Sequence, residues 1–250
     1  MKNLIFIFVL LFMFSSCGIL KKDKTEQKTQ ETVKTEPEEN KTATATGSSE
    51  EKEERKKSTG LGEIEYNLKE IPSGVEYKGK IVASARWDDD NGDNILLVTE
   101  TKKKEVPDKK YPEETVFEKE LYGYHYILSG SSAKLLWKIQ DFEKDCMFDL
   151  TLEYIPKSLS ITDLNNNGIA ESTFIYKMTC RGDVSPALFK LMMHENENKY
   201  AIRGEGIVKT PTESYGTGKM NVDKSFNDAP DEFLKYAKEQ WNKFKFERFE

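Results

Sequence analysis

This chain is poor in the residues that do most enzyme chemistry. It holds two histidines and three cysteines in 250 residues. No Gly-x-Ser-x-Gly elbow, no His-Glu-x-x-His pair and no phosphate-binding glycine loop occurs. Those absences remove the commonest serine-hydrolase, zinc-peptidase and nucleotide-binding readings. His125 lies in an alternating strand pattern and His194 just before a turn. Both read as structural or exposed rather than catalytic, and no catalytic residue is nominated. Carboxylates are plentiful, so a glycosidase-like pair is compatible with the sequence, but nothing singles one out.

Long apolar runs are also missing, with one exception. Leu4–Phe14 is apolar, follows Met1-Lys2-Asn3 and leads into Ser15-Ser16-Cys17-Gly18. Eleven residues cannot cross a hydrocarbon core, which takes roughly 20. A basic start, a short apolar run, small residues and then Cys is the layout of a bacterial lipoprotein signal. Phe14 stands where Leu is usual. The reading is that residues 1–16 are removed and that Cys17 carries the lipid anchor. It places the protein in the cell envelope, at the outer membrane, on a face the sequence does not specify.

Lys21 to Gly60 lacks large apolar side chains; Val33, Ala43 and Ala45 are nearly the only apolar ones. Such a segment cannot bury enough surface to offset its ordering entropy. Residues 17–60 are therefore expected to form a lipidated tether, and residues 61–250 one folded β-rich domain. Without Lys2 and the tether, 27 basic residues remain against 34 acidic ones. An acidic domain with no basic, aromatic-interleaved patch is a poor partner for nucleic acid. The partners expected are the membrane, through the anchor, and an envelope polysaccharide or protein.

With Cys17 assigned, Cys146 and Cys180 remain. In an oxidising envelope they read as a disulfide, worth about 3–4 kcal/mol on the chain-entropy model. Free buried thiols or a metal pair are the other readings.

What is present is an internal repeat. Trp87-Asp-Asp-Asp-Asn-Gly92 and Asp163-Leu-Asn-Asn-Asn-Gly168 are Asp/Asn turns closed by glycine. Each separates a short strand from a β-branched, aromatic one. Gly92 and Gly168 occupy matching positions where a positive φ is expected. More strands follow each, giving meanders over about 80–142 and 155–208, with Leu150–Ile155 as a further strand. The fold class expected is mainly β with a C-terminal α-helix: two antiparallel meander sheets, face to face or as propeller-blade-like units. Two blades alone cannot close a propeller. Residues 229–246 predict the helix, with Asp228 as cap, Pro230 in the first turn, and Phe233, Leu234, Ala237, Trp241 and Phe244 on one face.

The second loop offers oxygens at Asp163, Asn165 and Asn167, the Ile169 carbonyl and the Glu171 carboxylate. Calcium prefers six to eight such ligands. The loop resembles the short calcium loops of EF-hand-like and FG-GAP-type repeats. The other reading is an Asx turn without an ion. The acidic loop Asp88-Asp89-Asp90 is a weaker version of the same idea. Arg181-Gly182-Asp183 spells an adhesion tripeptide, which arises often by chance.

Several segments together resemble a group of bacterial exported proteins labelled surface polysaccharide biosynthesis protein. They are Ile161–Glu171, Tyr176–Pro186, Lys190–His194, Leu135–Phe142 with Asp145-Cys146, and Ala237–Asn242. The resemblance spans roughly residues 80–246. It implies a link to envelope glycan but no reaction and no site residues. The function expected is a binding or assembly factor near surface polysaccharide. A carboxylate-dependent glycan-processing enzyme and a structural lipoprotein holding a protein partner are the alternatives. Exposed aromatics among Trp87, Tyr122, Tyr124 and Tyr126 would point to glycan binding.

Overall fold

The computed structural model describes residues 60–248. Cys17, the signal and most of the tether lie outside them. Along the chain run β1 (Glu65–Tyr66), β2 (Lys80–Asp89), β3 (Gly92–Glu100), β4 (Lys104–Pro107), β5 (Thr115–Ser129) and β6 (Ser132–Cys146). Then come β7 (Asp149–Tyr154), β8 (Ser160–Thr162), β9 (Glu171–Arg181), β10 (Leu188–Glu195) and β11 (Asn198–Glu205). The C-terminal part adds β12 (Ile207–Lys209), β13 (Ser214–Tyr215), β14 (Met220–Val222), α1 (Asp231–Phe244) and β15 (Phe246–Arg248).

The first sheet runs β1-β2-β3-β5-β6, with β4 beside the start of β5 on the β3 side. The second runs β14-β11-β10-β9, with β7 and β8 sharing the far edge of β9. Within both sheets the pairs are antiparallel. A small third sheet joins β13, β12 and β15, where β12 and β15 run parallel. The two meanders expected from the sequence are thus two sheets, the first extending to Cys146.

The two Asp/Asn turns are where the glycines matter. Gly92 has φ +107° and Gly168 φ +82°. A Cβ on Gly168 would also sit 2.5 Å from Asp90 Oδ2. Only glycine meets both demands without strain.

Alternation decides the layers. Ala83, Ala85, Trp87, Leu96, Val98, Leu121 and Trp137 of the first sheet pack against Leu152, Phe174, Tyr176, Met192 and Ala201 of the second. The far face of the second sheet, with Ile175, Phe189, Leu191, Met193 and Ile202, is covered by Phe233, Ala237 and Trp241 of α1. Each large side chain buried there contributes roughly 1.5–3 kcal/mol. The helix is shorter than expected: Asp228 ends a preceding 3-10 turn and caps nothing, while Pro230 is the N-cap. Asp231 and Glu232 still lie in the first turn, where they suit the helix dipole.

The far face of the first sheet is covered too. Leu68, Ile71, Val75 and Ile81 lie over Tyr122, Tyr124 and Tyr126. These three tyrosines are 2%, 4% and 6% exposed, and Trp87 is 1% exposed in the inter-sheet core. The aromatic strip considered for glycan binding is therefore interior. Its hydroxyls are also taken: Lys78 Nζ donates to Tyr122, Lys78 N–H to Tyr124, and Tyr126 to the Glu76 carbonyl.

Cys146 and Cys180 form a disulfide. It joins the end of β6 to β9, so it ties the two sheets at the end opposite the Asp/Asn turns.

Candidate functional site

The two turns meet. Asp90 N–H donates to the Gly168 carbonyl at 2.8 Å, and Asn91 Nδ2 donates to Asn196 Oδ1 at 2.6 Å. Asp89 is the hub of this junction. Its Oδ2 accepts Trp87 Nε1–H and the Ala170 N–H, each at 3.0 Å. Its Oδ1 accepts the Asn91 N–H at 2.8 Å and Asn94 Nδ2–H at 2.9 Å. A carboxylate 7% exposed thus satisfies four donors from both sheets. Asn94 passes the network on, its Oδ1 lying 2.9 Å from His125 Nε2.

The five residues expected to ligate calcium are gathered in one loop, engaged as follows. Asp163 accepts the N–H groups of Asn167 and Gly168 at 3.0 and 3.1 Å. Asn165 and Asn167 accept the N–H groups of Asn167 and Ile169, respectively. Their amide nitrogens both donate to Glu195 Oε1. Glu171 Oε2 accepts Thr162 Oγ1–H and the Leu164 N–H, each at 3.0 Å, while its Oε1 is buried without a partner. Burial pushes the Glu171 carboxyl up to about 7. Among the described residues no group of three or more His, Cys, Asp or Glu side chains could hold a metal ion.

His125 and His194 are interior, 4% and 3% exposed. They flank Trp137: His194 stacks on it with ring centroids 3.9 Å apart, and His125 meets it edge-on at 5.6 Å. The Arg181 guanidinium is held by Glu247 and by the Ser185 carbonyl, so the Arg-Gly-Asp run does not present it to a partner.

A cleft lies elsewhere, at the edge where β1 and β2 face the turn after β7. It measures about 580 Å³, within the range of small-ligand sites. One wall holds Tyr66, Asn67 and Val82–Ser84; the other holds Glu153, Tyr154 and the turn from Pro156 to Leu159. Glu100, at the end of β3, closes one side.

The positions of these side chains follow from backbone bonding. Tyr66 accepts the Ile161 N–H on its hydroxyl at 3.1 Å, which fixes the ring across the sheets while the residue stays 41% exposed. Tyr154 accepts the Leu159 N–H in the same way at 2.9 Å. Asn67 donates its N–H to the Ser84 carbonyl, and Ser84 Oγ accepts the Leu68 N–H. Glu100 is fully engaged: Lys119 Nζ lies 2.8 Å from one oxygen, and the Tyr154 N–H donates to the other at 2.8 Å.

The side chains of Asn67, Glu153 and Lys157 are exposed and make no hydrogen bond or ion pair within the described fold. The cleft therefore offers a fixed aromatic ring beside a free amide, a free carboxylate and a free ammonium group. That set can hold a polyhydroxylated ring, with one face on Tyr66 and its hydroxyls on the polar groups. Sequence reasoning missed this cleft. Its walls lie far apart in the chain, Tyr66–Ser84 against Glu153–Leu159, and only sheet packing joins them.

Comparison with family models, with curated proteins and with solved structures found no match to this chain. No helix among the described residues is long and apolar enough to cross a membrane.

Proposed function

We propose that this chain is a lipid-anchored envelope protein whose folded domain binds surface polysaccharide without turning it over. The cleft beside Tyr66 carries the binding half of this reading. The anchor half rests on the sequence around Cys17, and the glycan link is supported by the family resemblance. Binding is favoured over hydrolysis because glycoside cleavage uses two carboxylates flanking the bond. Of the two that line this cleft, Glu100 has both oxygens occupied, which leaves Glu153 alone.

The expected result is that Tyr66→Ala weakens glycan binding about five- to tenfold, the scale of a lost ring-stacking contact. Calorimetric titration of wild type and variant with an oligosaccharide of the native envelope checks this. Melting curves of both show whether the domain stays folded. Equal affinities would move the site away from this cleft.

Calcium at the Asp163–Glu171 loop is a second reading, favoured by one observation. Glu171 and Glu195 are directly opposed across β9 and β10, and Glu171 Oε1 is buried without a partner. Opposed like charges are destabilising, and an oxygen-seeking cation would relieve them. To hold it, Asp163, Asn165, Asn167 and Glu195 would have to give up the N–H and amide donors they now accept, with the Ile169 carbonyl and Glu171 as further ligands. Millimolar calcium is then expected to raise the melting temperature of wild type by several degrees and leave Glu171→Gln unmoved. Identical wild-type melts in calcium and in chelator contradict it.

A further inference from the structure

We infer that the cleft selects an acidic sugar, a hexuronate, and that Lys157 reads its carboxylate. This rests on the glycan-binding reading and adds the substrate class.

Lys157 sits in the turn from Ile155 to Ser158, closed by the Ser158 N–H donating to the Ile155 carbonyl at 3.1 Å. Pro156 precedes it, and Lys157 itself has φ +66°. In such a turn the third residue is ordinarily glycine or asparagine, because a Cβ is strained at positive φ. The other non-glycine residues with positive φ are Asn67, Asp145, Asn166 and Asn196. All four have short polar side chains that tolerate this region. Lysine has no such compensation. A strained residue at a concave site is the kind of outlier from which function is inferred.

Among the described residues no side-chain hydrogen bond or ion pair of Lys157 offsets the strain. The Lys157 ammonium forms no ion pair among the described residues, although Glu153 lines the same cleft. Glu100, the other carboxylate there, is held by Lys119 and the Tyr154 N–H. An incoming carboxylate is thus the natural partner for this point charge. Glu153 and Asn67 remain to accept and donate to ring hydroxyls, and Tyr66 supports the ring face. A neutral sugar would gain only the hydroxyl and ring contacts. A cationic amino sugar would be drawn to Glu153 and repelled by Lys157.

The test uses the full mature protein and three probes of equal length: an oligoglucuronate, its carboxyl-reduced neutral form, and an oligoglucosamine. Titrations at low and high salt are run on wild type, Lys157→Gly and Lys157→Met. Wild type is expected to bind the uronate about tenfold tighter than the reduced form, with the gap closing at high salt. Both variants are expected to lose the gap, binding the uronate no tighter than the neutral form. Lys157→Gly should melt no lower than wild type, because glycine adopts this φ freely. Equal wild-type affinity for uronate and neutral probes, or preference for the glucosamine, overturns the inference and leaves the glycan reading standing. No binding of any probe by wild type overturns both.

Discussion

Replacing Asp89 with alanine is expected to destabilise the folded domain by about 3–5 kcal/mol, the cost of leaving buried partners of a charge unpaired. Four donors point at this carboxylate, from Trp87, Asn91, Asn94 and Ala170. The first three belong to the first sheet and its turn, while Ala170 enters β9 of the second. Alanine removes the acceptor from all of them at once, in a largely buried place. Asn94 would also lose one of the two acceptors that orient its amide against His125, keeping the Gly92 carbonyl. For a domain of this size the loss corresponds to roughly 10 °C or more in melting temperature. Asp89→Asn keeps the shape but turns one oxygen into a donor that faces other donors, so it should fall between wild type and alanine. Asp88→Ala, at an exposed neighbour, should change little. Similar melts for Asp89→Ala and Asp88→Ala would show that the junction does not depend on this residue.

Acidification is expected to produce the other large effect. Burial pushes both His125 and His194 from 6.5 down to about 3. Lys199 and the other histidine add to this at His194. The fold thus holds both rings neutral, whereas the unfolded chain protonates them near 6.5. Their contribution is complete above pH 6.5 and is lost as the pH falls towards 3. Each histidine removes about 1.4 kcal/mol per pH unit within that window. Glu171 acts in the opposite sense. Its folded value is raised, so its contribution is lost as pH rises from 4.5 through about 7, and it offsets part of the slope. Below 4.5 the lowered carboxylates, Glu247 among them, begin to lose stability too. The diagnostic window is therefore pH 6.5 to 4.5. His194→Phe keeps an aromatic ring on Trp137 and removes one titrating group. Its melting temperature should fall less steeply than that of wild type across this window. Parallel curves would mean that His194 does not set the acid limit.

Much of the architecture is legible in the sequence because it is local. Glycines closing Asp/Asn turns announce Gly92 and Gly168, and alternating strands follow each. Helical spacing of Phe233, Ala237 and Trp241 announces the face that α1 buries. The Cys146–Cys180 bond is the pairing left once Cys17 is set aside as the expected lipid site. The features that escaped depend on which surface covers which. Tyr122, Tyr124 and Tyr126 alternate as a one-sided strand should, but nothing in that pattern shows that residues 68–81 fold back over them. Asp89 reads as one more acid in an exposed turn, because Ala170, the donor that ties it to the second sheet, lies far along the chain. The cleft escaped for the same reason. Lys157 after Pro156 reads as an ordinary surface lysine until its backbone angle and its neighbours are known.

The binding reading makes a demand that a purely structural lipoprotein does not. A domain that only spaces a partner from the membrane has no need of a fixed, exposed tyrosine flanked by three uncommitted polar side chains. Such a domain would also tolerate changes at Tyr66, Asn67, Glu153 and Lys157 without loss.

The most direct test is a glycan array probed with the full mature protein and with Tyr66→Ala, both shown to be folded by their melting curves. Wild type is expected to bind a restricted set of envelope glycans and the variant to give a clearly weaker signal on that set. Absence of binding by wild type, or an unchanged pattern with Tyr66→Ala, would contradict the binding reading.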